Sequence, residues 1–320
     1  MYIVTGGAGF IGSAFISFLN QQGIRDIAVV DVLEHSSRWK NLRGKEFIHY
    51  FHRDEFVSLI ERDALPFAAT AVIHMGACSS TTETDADFLM RNNYRYSVSV
   101  AEFCSRHNLR LIYASSAATY GAGESGYDDA AELKKLAPLN PYGFSKHTFD
   151  LWMTHSKFTP RSVGLKFFNV YGPGEYYKGD MSSVVYKSWQ QIKSAGNVKL
   201  FKSYRPDFGH GEQKRDFVYV KDCCKVMWWL LQNPGVTGLF NVGSGTATSW
   251  KDLVTSVFSA LNLPPSIEFI EMPESLRAQY QYFTEAKLSN LRAAGYTAPF
   301  TSLEMAVRDY VSEHLERGEG

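Results

Sequence analysis

Tyr142 and Lys146 lie four residues apart in the run Asn140-Pro141-Tyr142-Gly143-Phe144-Ser145-Lys146. Asn140 suits a helix N-cap and Pro141 the first helical position, so both side chains should project from one helix face. A phenol titrates near about 10 and is a poor base at neutral pH. An ammonium beside it, joined by a second positive charge, favours the phenolate. A drop of about 3 pH units corresponds to roughly 4 kcal/mol. Ser116 sits in Ser115-Ser116-Ala117-Ala118-Thr119-Tyr120-Gly121, after the apolar run Arg110 to Ala114. There it can hydrogen-bond a substrate oxygen whose proton Tyr142 removes. Alone, Tyr-x-x-x-Lys suits any amphipathic helix, and a serine run suits any turn.

The second positive charge is what an oxidised nicotinamide brings, and the N-terminus is patterned to hold one. Gly6-x-x-Gly9-x-x-Gly12 separates the apolar run Tyr2 to Thr5 from helical periodicity through Ile16 and Leu19. Gly6 permits the tight strand-to-helix turn, Gly9 lets amides approach a pyrophosphate, and Gly12 lets the helix pack on the strand. Ile27 to Val30 reads as the next strand and ends at Asp31, the acid expected about 20 residues on.

Further strands are expected at Phe47 to Tyr50, Ala71 to His74, Arg110 to Ala114 and Val163 to Phe168, with a long helix from Asp85 to Asn108 between two of them. Strands alternating with helices predict an α/β fold, a Rossmann-type doubly wound parallel sheet with its ligand at the strands' carboxyl ends. After Asn169 come a glycine- and tyrosine-rich loop (171–179), a helix from Ser182 to Ser194, a polar loop from Ser203 to Lys214, and strands at Phe217 to Val220 and Leu239 to Val242 flanking a helix from Asp222 to Gln232. Ser249-x-x-Asp252 and Thr301-x-x-Glu304 read as helix starts, the latter as a capping box. The expected division is a dinucleotide-binding domain (1–170 plus 216–262) and a smaller, discontinuous C-terminal substrate domain (171–215 plus 263–320).

The balance of 33 basic and 33 acidic residues, without a basic stripe, argues against nucleic acid as a partner. Four scattered cysteines suit reduced thiols better than disulfides or a metal site. No apolar run is long enough to span a membrane, and the chain enters its first strand at once; the expectation is a cytoplasmic protein.

Together these residues resemble the extended short-chain dehydrogenase/reductase superfamily. Within it, His74-Met75-Gly76-Ala77-Cys78-Ser79-Ser80-Thr81-Thr82-Glu83, Tyr113 to Gly121, Phe168-Asn169-Val170-Tyr171-Gly172-Pro173, Lys214 to Val220 and Asn290 to Tyr296 resemble the ADP-L-glycero-D-manno-heptose 6-epimerase family, over nearly the whole chain. The resemblance implies inversion of carbon 6 of an ADP-activated heptose for lipopolysaccharide core synthesis, by transient oxidation and re-reduction with tightly held NADP, in a homo-oligomer. It implies Tyr142 and Lys178 as acid/base groups on two sides, with Ser116 assisting and Lys146 on the nicotinamide ribose. Cofactor contacts carry over to Gly6, Gly9, Phe10, Ile11, Gly12, Asp31, Val32, Arg38, Arg53, Met75, Gly76, Ala77, Cys78, Ser79, Asn92 and Val170. Substrate contacts carry over to Asn169, Phe201, Arg215 and Tyr280.

The chain departs from that pattern at Met75, Val32, Gly174 and Tyr177, where more polar or acidic residues are usual. Asp31 alone favours the ribose diol of NAD, while Arg38, Lys40 and Arg53 can offset it for a 2′-phosphate; the resemblance favours NADP. A UDP-glucose/galactose 4-epimerase would use Ser116, Tyr142 and Lys146 equally well. A 4,6-dehydratase needs an acid and a base where Ala117 and Ala118 stand. A non-catalytic NADP-binding sensor has no use for the triad.

Overall fold

The computed structural model describes residues 1–156, 161–277 and 280–318. Its strands are β1 (Tyr2–Thr5), β2 (Ile27–Asp31), β3 (His49–His52), β4 (Ala71–His74), β5 (Arg110–Ser116), β6 (Ser162–Phe167), β7 (Asn169–Tyr171), β8 (Val198–Phe201), β9 (Lys214–Tyr219), β10 (Gly238–Val242), β11 (Ala247–Ser249) and β12 (Ile267–Ile270). Seven of them form one parallel sheet in the order β10-β6-β5-β4-β1-β2-β3. The order reverses between β1 and β4, and ligands of such sheets bind at the carboxyl ends beside that switch point. Strands β2 and β4, which flank β1, read Ile-Ala-Val-Val-Asp and Ala-Val-Ile-His and are buried throughout, as a sheet covered on both faces requires.

The helices that matter to the site are α1 (Phe10–Gln21), α2 (Arg53–Glu61), α3 (Ala86–Leu89), α4 (Tyr96–Arg106), α5 (Pro141–His155), α6 (Val184–Ala195), α7 (Val220–Gln232) and α8 (Trp250–Ala260). Helix α1 presses Phe15, Ile16 and Leu19, all fully buried, onto the sheet. Each such side chain contributes about 1.5–3 kcal/mol, which fixes the glycine turn to the sheet edge. A second apolar cluster joins α6, α8 and the helix over Leu303–Asp309 through Val185, Ile192, Val254, Val257, Phe258, Val307 and Tyr310. Trp228 and Trp229 are half-buried against the main core, Trp229 meeting Tyr296 edge to face.

Several elements differ from their sequence-based outlines. The third strand begins two residues late, because its register against β2 pairs His49 with Ala28 and seats Phe51 in the core. The expected long helix is broken by a π-helical segment, Met90–Arg95, between α3 and α4. Thr301 is not the cap of the last helix. Asp222, buried on α7, takes both its amide (2.7 Å) and its hydroxyl (3.0 Å), so Ser302 caps instead. Strands β7, β8, β11 and β12 were not anticipated; each is short and pairs with a distant segment.

Candidate active site

Gly6 adopts φ +64°, and a Cβ there would lie 2.7 Å from the Gly76 amide nitrogen. A Cβ on Gly12 would lie 2.1 Å from the Gly6 carbonyl oxygen, inside any tolerable contact. Glycine is therefore dictated at both positions, and the first turn of α1 opens onto the end of β1. Asp31, at the end of β2, accepts hydrogen bonds from the amides of Ala8 (2.8 Å) and Val32 (2.7 Å), so it braces the turn. Arg38 donates to the same carboxylate at 3.2 Å. Arg53 donates to Asn92 Oδ1 at 2.5 Å.

Across the switch point, the loop after β4 is fixed from two directions. Thr5 Oγ1 accepts from the Gly76 amide and bonds His74 Nδ1 at 2.7 Å. Asn93 donates to the Cys78 carbonyl (3.0 Å) and accepts from its amide (2.8 Å), while also donating to Ser145 Oγ (3.0 Å). The π-helical segment carries Asn92 and Asn93; such insertions recur at functional sites. Burial, with Lys146 nearby, pushes the His74 imidazole down to about 3, so it is neutral.

Asn140 does cap α5, accepting from the Gly143 amide at 2.7 Å, with Pro141 first in the helix. Tyr142 and Lys146 then share the face turned to β5. The Ser116 side chain lies beside the Tyr142 phenol and favours its ionised form. Lys146 Nζ donates to the Ala114 carbonyl at 2.9 Å. Burial raises the phenol, and the neighbouring Ser116 side chain opposes that rise. Lys146 is itself pushed down to about 8 by the same burial, Asp150 and Cys78 partly offsetting it.

Lys178 arrives from a different wall, in the 3-10 turn Tyr176–Met181, with Nζ 5.4 Å from the Phe10 ring centroid. Burial lowers it, and the Glu175 carboxylate opposes that shift. Arg215, on β9, lies between Trp250 and Tyr280 and donates to the Lys214 and Gln281 carbonyls.

These groups enclose a cleft of about 1120 Å³ running from Asp31 to Tyr280. It brings together the residues expected from the sequence except Lys40 and Phe201, the latter ending β8 opposite Ile270. Lys40 is exposed outside the cleft. Asn93, Glu175, Tyr177, Trp250 and Gln281 were not assigned a role from sequence. Cys78 is half-buried in the cleft, while Cys104, Cys223 and Cys224 are buried elsewhere. Among the described residues, no group of acidic, histidine and cysteine side chains could hold a metal ion.

Residues 2–243 match the NAD dependent epimerase/dehydratase family. The chain belongs to that family. Among its relatives, ADP-L-glycero-D-manno-heptose-6-epimerase of Nitratidesulfovibrio vulgaris (strain DP4) is 56% identical over 98% of each chain. The enzyme of the same name from Fusobacterium nucleatum subsp. nucleatum is 50% identical over 99% of this chain and 98% of the relative. The crystal structure of the Helicobacter pylori ADP-L-glycero-D-manno-heptose-6-epimerase superposes with a TM-score of 0.81 at 29% identity, covering 98% of this chain and 95% of the other. The glycine turn, Asp31 and the Gly76–Ser79 loop line one end of the cleft, a lining of the kind that takes a nicotinamide dinucleotide, and a Cβ at Gly6 or Gly12 would collide with the chain's own backbone and displace that turn.

Proposed function

We propose that the chain inverts carbon 6 of an ADP-activated manno-heptose, ADP-D-glycero- to ADP-L-glycero-D-manno-heptose. The observation that carries this reading is that Tyr142 and Lys178, from separate segments, line one cleft with the glycine turn. Inverting a secondary alcohol presents its carbon to the same reagent from two faces, so proton transfer is needed at two sides. The bound nicotinamide supplies a reversible hydride acceptor and, when oxidised, a positive charge. Ser116 holds the substrate hydroxyl in line with the Tyr142 phenol. Tyr142 removes the hydroxyl proton in one orientation, and Lys178 serves the other. Lys146, fixed on Ala114, holds the ribose, and Arg215 offers a fork of donors to the substrate's phosphates. Asn169 and Tyr280 flank the sugar.

The cofactor is NADP in this reading. Arg38 neutralises Asp31 at 3.2 Å and leaves a half-buried guanidinium at the ribose end of the cleft, which suits a 2′-phosphate. No described helix is long and apolar enough to cross a membrane, and a nucleotide-sugar substrate points to the cytoplasm. The test is incubation with ADP-D-glycero-D-manno-heptose and stereochemical analysis at carbon 6. Inversion supports the assignment. Turnover of UDP-galactose instead would make the chain a 4-epimerase, and nucleotide binding without any sugar turnover would make it a sensor.

A further inference from the structure

Ser116 is held from behind by an ion pair that the cleft does not reach. Lys166 on β6 and Asp150 on α5 lie 2.9 Å apart with 1% and 0% of their side chains exposed, and neither lines the cleft. The Asp150 carboxylate accepts from Lys166, from Ser115 Oγ (2.7 Å) and from the Tyr113 hydroxyl (3.2 Å). Lys166 donates also to Thr119 Oγ1 (2.5 Å) and lies 4.9 Å from the Tyr120 ring centroid. Thr119 Oγ1 in turn donates to the Ser116 carbonyl at 2.8 Å. Ser116 is thus tied to the pair twice, through the residue before it and through its own carbonyl.

The charges fix the direction of each bond. An ammonium has donors only and a carboxylate acceptors only. Thr119 must therefore accept from Lys166, and its one proton is left for the Ser116 carbonyl. Ser115 must likewise give its proton to Asp150. Ser116 Oγ accepts from the Ala118 amide (3.1 Å), so its own proton is free to turn into the cleft beside the Tyr142 phenol. Stability alone does not call for such a pair, because well-packed apolar residues in place of a buried ion pair often leave a fold as stable or more so. We propose that Lys166 and Asp150 are positioning residues that align Ser116 with the Tyr142 phenol without touching substrate or cofactor. Asp150 also lies one turn beyond Lys146 on α5, and its carboxylate opposes the fall that burial imposes on that ammonium. The inference rests on the proton transfer between Ser116, Tyr142 and the substrate proposed above, and adds what holds the serine in line.

The test measures kcat and KM for ADP-D-glycero-D-manno-heptose, NADPH affinity by fluorescence titration, and thermal unfolding, all on the full-length protein. Thr119→Val keeps the shape and cuts the link from Lys166 to the Ser116 carbonyl. Ser115→Ala cuts the link to Asp150. Lys166→Met combined with Asp150→Asn removes both charges at nearly constant shape. Slight misplacement of a reacting group is costly, so each single variant should lower kcat about 3- to 10-fold and the double variant about 10- to 100-fold. In the single variants KM and NADPH affinity should stay within twofold of the parent. A kcat within twofold of the parent in every variant would overturn the role. Losses in the single variants matched by equal rises in KM and weaker NADPH binding would overturn it too, since those mark a distorted cleft. A double variant that does not fold leaves the decision to the two single ones. If the parent turns over UDP-galactose instead, the comparison runs on that substrate, because Ser116 and Tyr142 serve either. A parent that turns over no sugar overturns the proposed function and this role with it, and the inactive parent tells that result apart.

Discussion

Replacing Lys146 with methionine should stabilise the fold while removing function. The ammonium is buried, and its pKa falls from an ordinary 10.5 to about 8, chiefly through desolvation. At roughly 1.4 kcal/mol per pH unit, the folded state carries a penalty of about 3 kcal/mol whenever this lysine is charged. Methionine fills nearly the same volume without charge. It forfeits the bond to the Ala114 carbonyl, which costs about 1 kcal/mol. The net gain at pH 7 is then about 2 kcal/mol, or roughly 3 °C in Tm for a chain of this length. The pH dependence fixes the cause. Below pH 8 the parent lysine is protonated in both folded and unfolded chains, and the penalty is complete. Between about 8 and 10.5 only the unfolded chain holds the proton, so the parent gains stability as pH rises and the advantage of Lys146→Met shrinks. Thermal unfolding of both proteins, freed of nucleotide, at pH 7 and pH 9.5 measures the difference. A variant less stable than the parent at pH 7, or a gain equal at both pH values, would refute the reasoning.

Tyr142→Phe should keep nucleotide binding and lose about 10²–10⁴ in turnover, read from single-turnover kinetics; near-parental activity would move the base elsewhere. Arg38→Ala should weaken NADP about tenfold more than NAD, because it unmasks Asp31 as well as removing the guanidinium; equal losses in a binding titration would count against NADP. Asp222→Ala leaves the Thr301 amide unpaired and should lower stability by about 2 kcal/mol in urea unfolding; an unchanged midpoint would mean that the junction of α7 with the last helix is held by other contacts.

Much of the cleft was legible because its components are local in sequence. The glycine spacing, Asn140-Pro141 and the four-residue step from Tyr142 to Lys146 each encode a short-range geometry, and each appears as expected. The last capping box failed for the opposite reason. Thr301 and Glu304 have the right spacing, but a carboxylate on α7 competes for the threonine, and no local pattern announces it. Asn93 was hidden likewise, since its partners Cys78 and Ser145 are remote in the chain.

By itself the sequence determined the seven strands of the parallel sheet, the steric demand for glycine at positions 6 and 12, and the pairing of a phenol with an amine on one helical face. Those follow from periodicity and from what fits beside a backbone, and they need no distant partner. Only the tertiary structure decided the state of the charges and the placing of the second lysine. Burial raises the Tyr142 phenol and lowers the Lys146 ammonium, which donates to the Ala114 carbonyl. The turn carrying Tyr177 and Lys178 meets the start of helix α1 through the bond from the Phe10 amide to the Tyr177 hydroxyl, a pairing far apart in the chain, and desolvation and long-range contact exist only once the chain has folded.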